Sequence, residues 1–360
     1  MFDDRHYVPI LKGKQAEYFS LRDLETQIKE KLTPVIEVPP IDWDFDEGRP
    51  KRTIDEQVSG VAGKLNDAWG SDRAMFVELG LVADAGLLAN GSHPIDQVFE
   101  GLRAHGTPAI PVTGLDRPGS FQAGVERVVR ADDRGVCLRL VDRDFEDVID
   151  LQTSLDTMMV QLGVDPAKCD VIIDLREIPV GQANTMALAA RGILYALPYT
   201  ADWRTVTVAG TAFPENLTGF QSASASATER TEWLLWKALV SHGTLNRTPT
   251  FGDYAIAHPD IPQIDPRFMR MSAQLRYTVE NDWLIFKERN VRDHGFDQFN
   301  DICRDLVARP EYSGRDYSWG DTYADDCARN RDGPGNATTW RRVATTHHLT
   351  YVVNQITSLP

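Results

Sequence analysis

The sequence predicts an α/β fold, a (β/α)8 TIM-barrel-like domain carrying a C-terminal α+β elaboration. Short apolar runs recur along the chain, and each ends in an ionisable or hydroxyl side chain: YVPILK to Lys12, TPVIE to Glu37, MFVE to Glu78, AIPVT to Thr113, VCLR to Arg139 and VIID to Asp174. VTVAGT to Thr211 and FGDYAI around Asp253 complete the set less cleanly. Such runs read as strands buried on both faces. They are about 25 to 45 residues apart, room for one helix each, as a barrel of standard size requires. The alternation stops near residue 260. Residues 1–260 are therefore expected to form the barrel, and residues 261–360 a hairpin and helices packed on it.

Taken in order, the first unit is strand Tyr7–Lys12 followed by a helix whose Leu21, Leu24, Ile28 and Leu32 share one face, stopped by Thr33-Pro34. PPIDWDFDEGRPKR after Glu37 reads as a long rim loop, either solvated or lining a site with Asp42, Trp43, Asp44, Phe45 and Asp46. A helix is expected from about Ile54 to Ala68, then the strand ending at Glu78, then a short helix near His93–His105. Pro108 and Pro111 argue against the fourth run as a central strand, because each removes a ladder donor. The helix after Gly135–Val141 should turn Phe145, Val148, Ile149, Leu151 and Leu155 inward.

CDVIIDLREIP supplies the sixth strand and Ala183–Leu197 the next helix. After Thr205–Gly210, Ser226 and Glu229 have capping-box spacing and predict a helix starting there and running through TEWLLWKALVSHG. LRYTVENDWLIFKERN predicts a hairpin about Glu280-Asn281-Asp282, followed by a helix over Phe296–Ala308. The closing segment is dense in Trp, Tyr, Asp and Arg and ends in a helix bearing His347-His348.

Composition sets the bounds. Hydrophobic residues make up 42% and charged residues 25% of 360, as in soluble globular chains. No apolar run approaches the ~18 residues of a membrane span. The start, MFDDRHYVPIL, lacks the features of a secretion signal, so the expected compartment is cytoplasmic. Cys137, Cys169, Cys303 and Cys327 are scattered without metal spacing, which predicts reduced structural thiols. A formal net charge of -15 argues against broad nucleic-acid binding.

In a barrel, catalytic groups come from the carboxyl ends of several strands. Lys12, Glu37, Glu78, Arg139 and Asp174, with Arg176 just beyond, are therefore the candidate catalytic residues. One arrangement makes Glu37, Glu78 and Asp174 ligands for Mg²⁺ or Mn²⁺ while Lys12 and Arg139 hold an anionic substrate such as a phosphate ester. In another there is no metal, and one glutamate of raised pKa acts as general acid or base. A third makes the charges an ion-pair network filling the mouth. His347 and His348 point about 100° apart on a helix, so at most one is functional. His242 and His258 are isolated, and Trp319 is either a lid over the rim or a packing tryptophan. Nucleotide, zinc-protease and α/β-hydrolase motifs are absent from the sequence.

YVPILKGKQAEYFSLRDL with TPVIEVP, the RYTVENDW hairpin, and the late SWGD, TTWRR and THHLTYVV elements together resemble the "beta protein" family of phage and bacterial sequences. The likeness runs in order over nearly the whole chain and implies one integral fold, with a role in phage or phage-defence settings. It transfers no catalytic residue. Two functions follow as expectations. The first is a hydrolase or lyase acting on a small anionic ligand at the barrel rim. The second is a non-catalytic recognition or regulatory subunit in phage–host conflict, whose aromatic C-terminal segment would meet a protein partner.

Overall fold

A computed structural model describes residues 2–241, 243, 245–261, 265 and 271–359; His242 lies outside these. Eight parallel strands close into a barrel. Around the ring they are Tyr7–Lys12, Val35–Glu37, Met75–Glu78, Ala109–Thr113, Val136–Val141, Cys169–Glu177, Thr205–Thr211 and Thr250–Asp253, the last pairing back to the first. Side chains alternate along each strand. Val8, Ile10, Val35, Phe76, Val112, Cys137 and Ile172 fill the interior. Leu11, Ile36, Val77, Leu138, Val171 and Val208 face outward beneath the helices.

Pro111 is accommodated in the fourth strand. It pairs with Val77 on one side, while the ladder to the fifth strand begins only at Val112, so no registered partner there misses its N–H. The predicted helices over 21–32 and 54–68 are each broken. Leu24 and Ser59 take extended backbone, giving Gln15–Asp23 with Thr26–Lys29, and Ile54–Val58 with Val61–Trp69. Leu21, Leu24, Ile28 and Leu32 are buried all the same, because packing selects the side chain and not the helix. Val148 and Ile149 point to solvent, contrary to the expectation, whereas Leu151 and Leu155 are buried.

The capping-box expectation at Ser226–Glu229 is overturned. Ser224–Glu229 is a strand, antiparallel to Asp282–Asn290, and the helix spans Thr231–Val240 behind Arg230. The local signal lost to a ladder whose partner lies more than fifty residues ahead. The predicted hairpin, Ser272–Thr278 with Asp282–Asn290, is thereby the larger part of a three-stranded sheet.

Helices Gln298–Val307 and Trp319–Ala328 cover this sheet around Leu275, Phe286, Phe299, Ile302 and Leu306. The last helix, Ala337–Thr357, belongs to both cores. Trp340, Val343 and Ala344 enter the second, and Leu349, Val352, Val353 and Ile356 enter the barrel's outer layer. It packs on the first strand and the first helix, closing the helical ring after the excursion of the sheet.

His347 and His348 rivet this helix in opposite directions, as their angular separation demands. His347 Nδ1 lies 2.9 Å from Asp321 Oδ2, and its Nε2 lies 2.8 Å from the Thr278 carbonyl. His348 Nε2 lies 2.9 Å from Asp253 Oδ2, and its Nδ1 lies 2.7 Å from Thr278 Oγ1. Both are satisfied core histidines. Trp319 is no lid: it stacks on Tyr323, and the Arg342 guanidinium lies 3.5 Å from its ring centroid. Trp340 stacks on Phe299, so the expected aromatic contact surface turns much of itself inward. Among the described residues all four cysteines are free and buried, and no helix is long and apolar enough to cross a membrane.

Candidate active site at the barrel mouth

Lys12, Glu37 and Glu78 are register partners on three adjacent strands, so they stand at one level of the mouth. Asp174 pairs with Val141, whereas Arg139 pairs with Ile172, two residues deeper. Arg139 therefore rises from below. Its Nε donates to Asp174 Oδ2 at 2.9 Å, Nη1 to Glu37 Oε1 at 2.8 Å and Nη2 to the Tyr254 hydroxyl at 2.7 Å. Tyr254 donates in turn to Asp174 Oδ2 at 2.6 Å. Lys12 bonds Glu37 Oε2 and donates to the Pro259 carbonyl at 2.7 Å. All six groups are buried.

The strand-end residues also hold their own backbone turns. Glu78 Oε1 accepts from Gly80 N–H at 2.7 Å, Asp174 Oδ1 from Arg176 N–H at 2.9 Å, Thr211 Oγ1 from Phe213 N–H at 3.0 Å and Asp253 Oδ1 from Ala255 N–H at 2.8 Å. Each carboxylate or hydroxyl thus satisfies the donor two residues on, where the ladder has ended. At Arg176 the turn requires φ of 53°, a left-handed conformation that a non-glycine residue adopts at a cost of about 1 kcal/mol or more.

Parity separates the strand-end residues. Asp253 and Thr113 face out of the barrel, Asp253 to Tyr7 and His348, and Thr113 to Gln122 Oε1 at 2.9 Å. Tyr254, one residue beyond Asp253, faces in. The sequence reading missed it by stopping at the charged residue, although alternation from Gly252 pointed to it. It also missed Arg117, in the TGLDRPG loop after the fourth strand, whose Nη2 lies 3.3 Å from Glu78 Oε2.

A cavity of about 280 Å³ opens above this layer. Glu37, Glu78, Arg139 and Asp174 border it below, and Arg117, Arg143 and Arg176 above. Lys12 and Arg139, expected to hold a substrate anion, are instead committed to carboxylates of the chain. The upper arginines differ. Arg143 bonds Asp116 and Arg176 bonds Asp260, but these are half-exposed pairs, worth about 0 to 1 kcal/mol and readily exchanged for another anion.

The two glutamates diverge. Burial raises the pKa of Glu37, but Arg139 and Lys12 outweigh it and hold the carboxyl below its usual range. Burial also raises Glu78, and there Arg117 and Arg139 fail to offset it, so that carboxyl lies above its usual range. Burial pushes the Tyr254 hydroxyl far up, so it remains a donor.

The arrangement does not suit the expected Mg²⁺ or Mn²⁺. Both oxygens of Glu37 are taken by cations, and Arg139 stands between Glu37 and Asp174. Among the described residues no three His, Cys, Asp or Glu side chains form a metal-holding group. The DWDFD loop pairs Trp43–Asp44 with Arg49–Pro50 and leaves Trp43 exposed.

A family model described as Beta protein matches residues 7–354. No curated protein matches the sequence. Among solved structures, a triosephosphate isomerase from Bartonella henselae is similar at 11% identity and a TM-score of 0.38, covering 70% of this chain and 93% of that one. A mutant tryptophan synthase α-subunit from Pyrococcus furiosus is similar at 13% identity and a TM-score of 0.39, covering 71% of this chain and 89% of that one.

Proposed function

The chain belongs to the Beta protein family, and we propose that its barrel mouth is the active site of a hydrolase or lyase acting on a small anionic substrate such as a phosphate ester. Glu78 is the general acid or base, and Arg117, Arg143 and Arg176 receive the anion. Lys12, Glu37, Arg139, Asp174 and Tyr254 form the rigid floor. The observation that carries the reading is the contrast of two neighbouring carboxyls at one cavity. Glu37 is clamped by two cations, whereas Glu78 holds its proton more firmly and borders the open space. A carboxyl of raised pKa at a cavity is suited to proton transfer near neutrality. Glu78 would take a proton from an attacking water, or from carbon beside a leaving group, and return it as an acid.

The complete internal pairing of Glu37, Asp174, Lys12 and Arg139 favours a second reading, a non-catalytic recognition subunit in phage defence whose mouth is a structural plug. A thermal-shift scan of phosphorylated small molecules, followed by turnover assays of those that bind, separates the two. The enzyme reading expects turnover lost in Glu78→Gln with binding retained, and binding weakened in Arg176→Met. Ligands that are never turned over, or turnover indifferent to Glu78→Gln, would overturn it.

A further inference from the structure

A second cavity lies outside the barrel, between the three-stranded sheet and the C-terminal helix. Its volume is about 160 Å³, close to that of a cavity that holds benzene. Phe296, Phe299 and Trp340 supply apolar walls, and Arg276 and Arg341 the charge. Phe299 and Trp340 stack with ring centroids 4.2 Å apart, which holds this wall of the cavity rigid.

Arg276 is the group without an evident complement. Its Nη1 donates to the Ile256 carbonyl at 2.7 Å and its guanidinium lies 4.6 Å from the Phe213 ring centroid, but among the described residues it forms no ion pair. Arg341, by contrast, is paired with Glu17, Nε to Oε1 at 2.9 Å. Burial, and then the neighbouring Arg341, bring the Arg276 pKa down to about 9, and Glu17 restores only part. A cation so placed costs free energy unless an anion meets it. A guanidinium presents a planar fork matched to a carboxylate, and the aromatic walls suit a flat body behind it.

We propose that this cavity binds a small monocarboxylate with a flat apolar body of benzoate size, its carboxylate on Arg276 and its ring against Phe299 and Trp340. The site is independent of chemistry at the mouth. It does share a loop with it: Ile256 follows Tyr254 by two residues, and Pro259, the acceptor of Lys12, by five.

Calorimetric titration of the full chain with benzoate tests this. Benzoate should bind at least tenfold more tightly than its neutral counterpart benzamide and than inorganic phosphate, and Arg276→Gln should remove that preference. Ser272→Phe, which fills the cavity from its edge, should abolish benzoate binding, whereas Glu78→Gln should leave it unchanged. Equal affinity for benzoate and benzamide in the wild-type chain would overturn the proposal even if Arg276→Gln fails to fold. So would absence of benzoate binding, or its persistence in Ser272→Phe.

Discussion

Glu37 and Glu78 are register partners on adjacent parallel strands, yet their carboxyls are held on opposite sides of the usual value of 4.5. Both are buried, so desolvation acts on each alike. Two cations reach each, and the difference is how closely: Arg139 leans toward Glu37, at 2.8 Å against 3.8 Å for Glu78, and Arg117 stays 3.3 Å from Glu78.

Opposite shifts give opposite pH dependence. The depressed Glu37 contributes stability present above pH 4.5 and lost as pH falls through its lower folded value. The raised Glu78 contributes stability present below 4.5 and lost as pH rises through its higher folded value. Urea denaturation across pH 3 to 8 should show Glu37→Gln lacking part of the acid-side loss, and Glu78→Gln lacking part of the loss above 4.5. Parallel curves for the two variants would refute the assignment.

Arg139 is the hub of the floor, and no lysine can span Glu37, Asp174 and Tyr254 together. Arg139→Leu takes the shared cation from two buried carboxylates and should cost about 3 to 5 kcal/mol in urea denaturation. Adding Glu37→Gln and Asp174→Asn should recover a large share of that loss. Simple additivity of the three changes would argue that they do not form one network.

Asp253 receives Tyr7, Ala255 N–H and His348 between barrel and last helix. His348→Leu should destabilise the chain by about 3 kcal/mol at neutral pH by leaving that carboxylate underpaired. Burial lowers the His348 pKa below 6.5, with Asp253 only partly opposing. Its contribution is therefore present above 6.5 and lost as pH falls through the lower folded value, and that slope should be missing from the variant's thermal melts.

Gly320 lies against the backbone of the last helix: a Cβ there would stand 2.2 Å from the Val343 carbonyl oxygen. Gly320→Ala should cost about 1 to 3 kcal/mol by forcing the helices apart. Gly192, in the helix Ala183–Ala196, has nothing within 4 Å of such a Cβ, so Gly192→Ala should stabilise by about 0.5 to 1 kcal/mol. Melting temperatures that move in the same direction would contradict the packing argument.

The barrel was legible because its strands are buried on both faces. Val171, Ile172 and Ile173 must all be apolar, and the first polar residue must fall where the strand leaves the core, at Asp174. That rule is what sets Lys12, Glu37, Glu78, Arg139 and Asp174 at one end of the fold. The rule marks the level of a polar strand-end residue and not its direction, and Asp253 faces outward to His348.

Local pattern by itself determined the strand–helix alternation, the depth of each run and the charged layer at the mouth. Tertiary structure alone decided that Ser224–Glu229 is a strand, that Arg117 joins the layer, and that the chain's last helix completes the barrel. These depend on partners tens to hundreds of residues away. Hydrogen-bond pairing and charge neutralisation are settled by distance in space, which spacing along the chain does not encode.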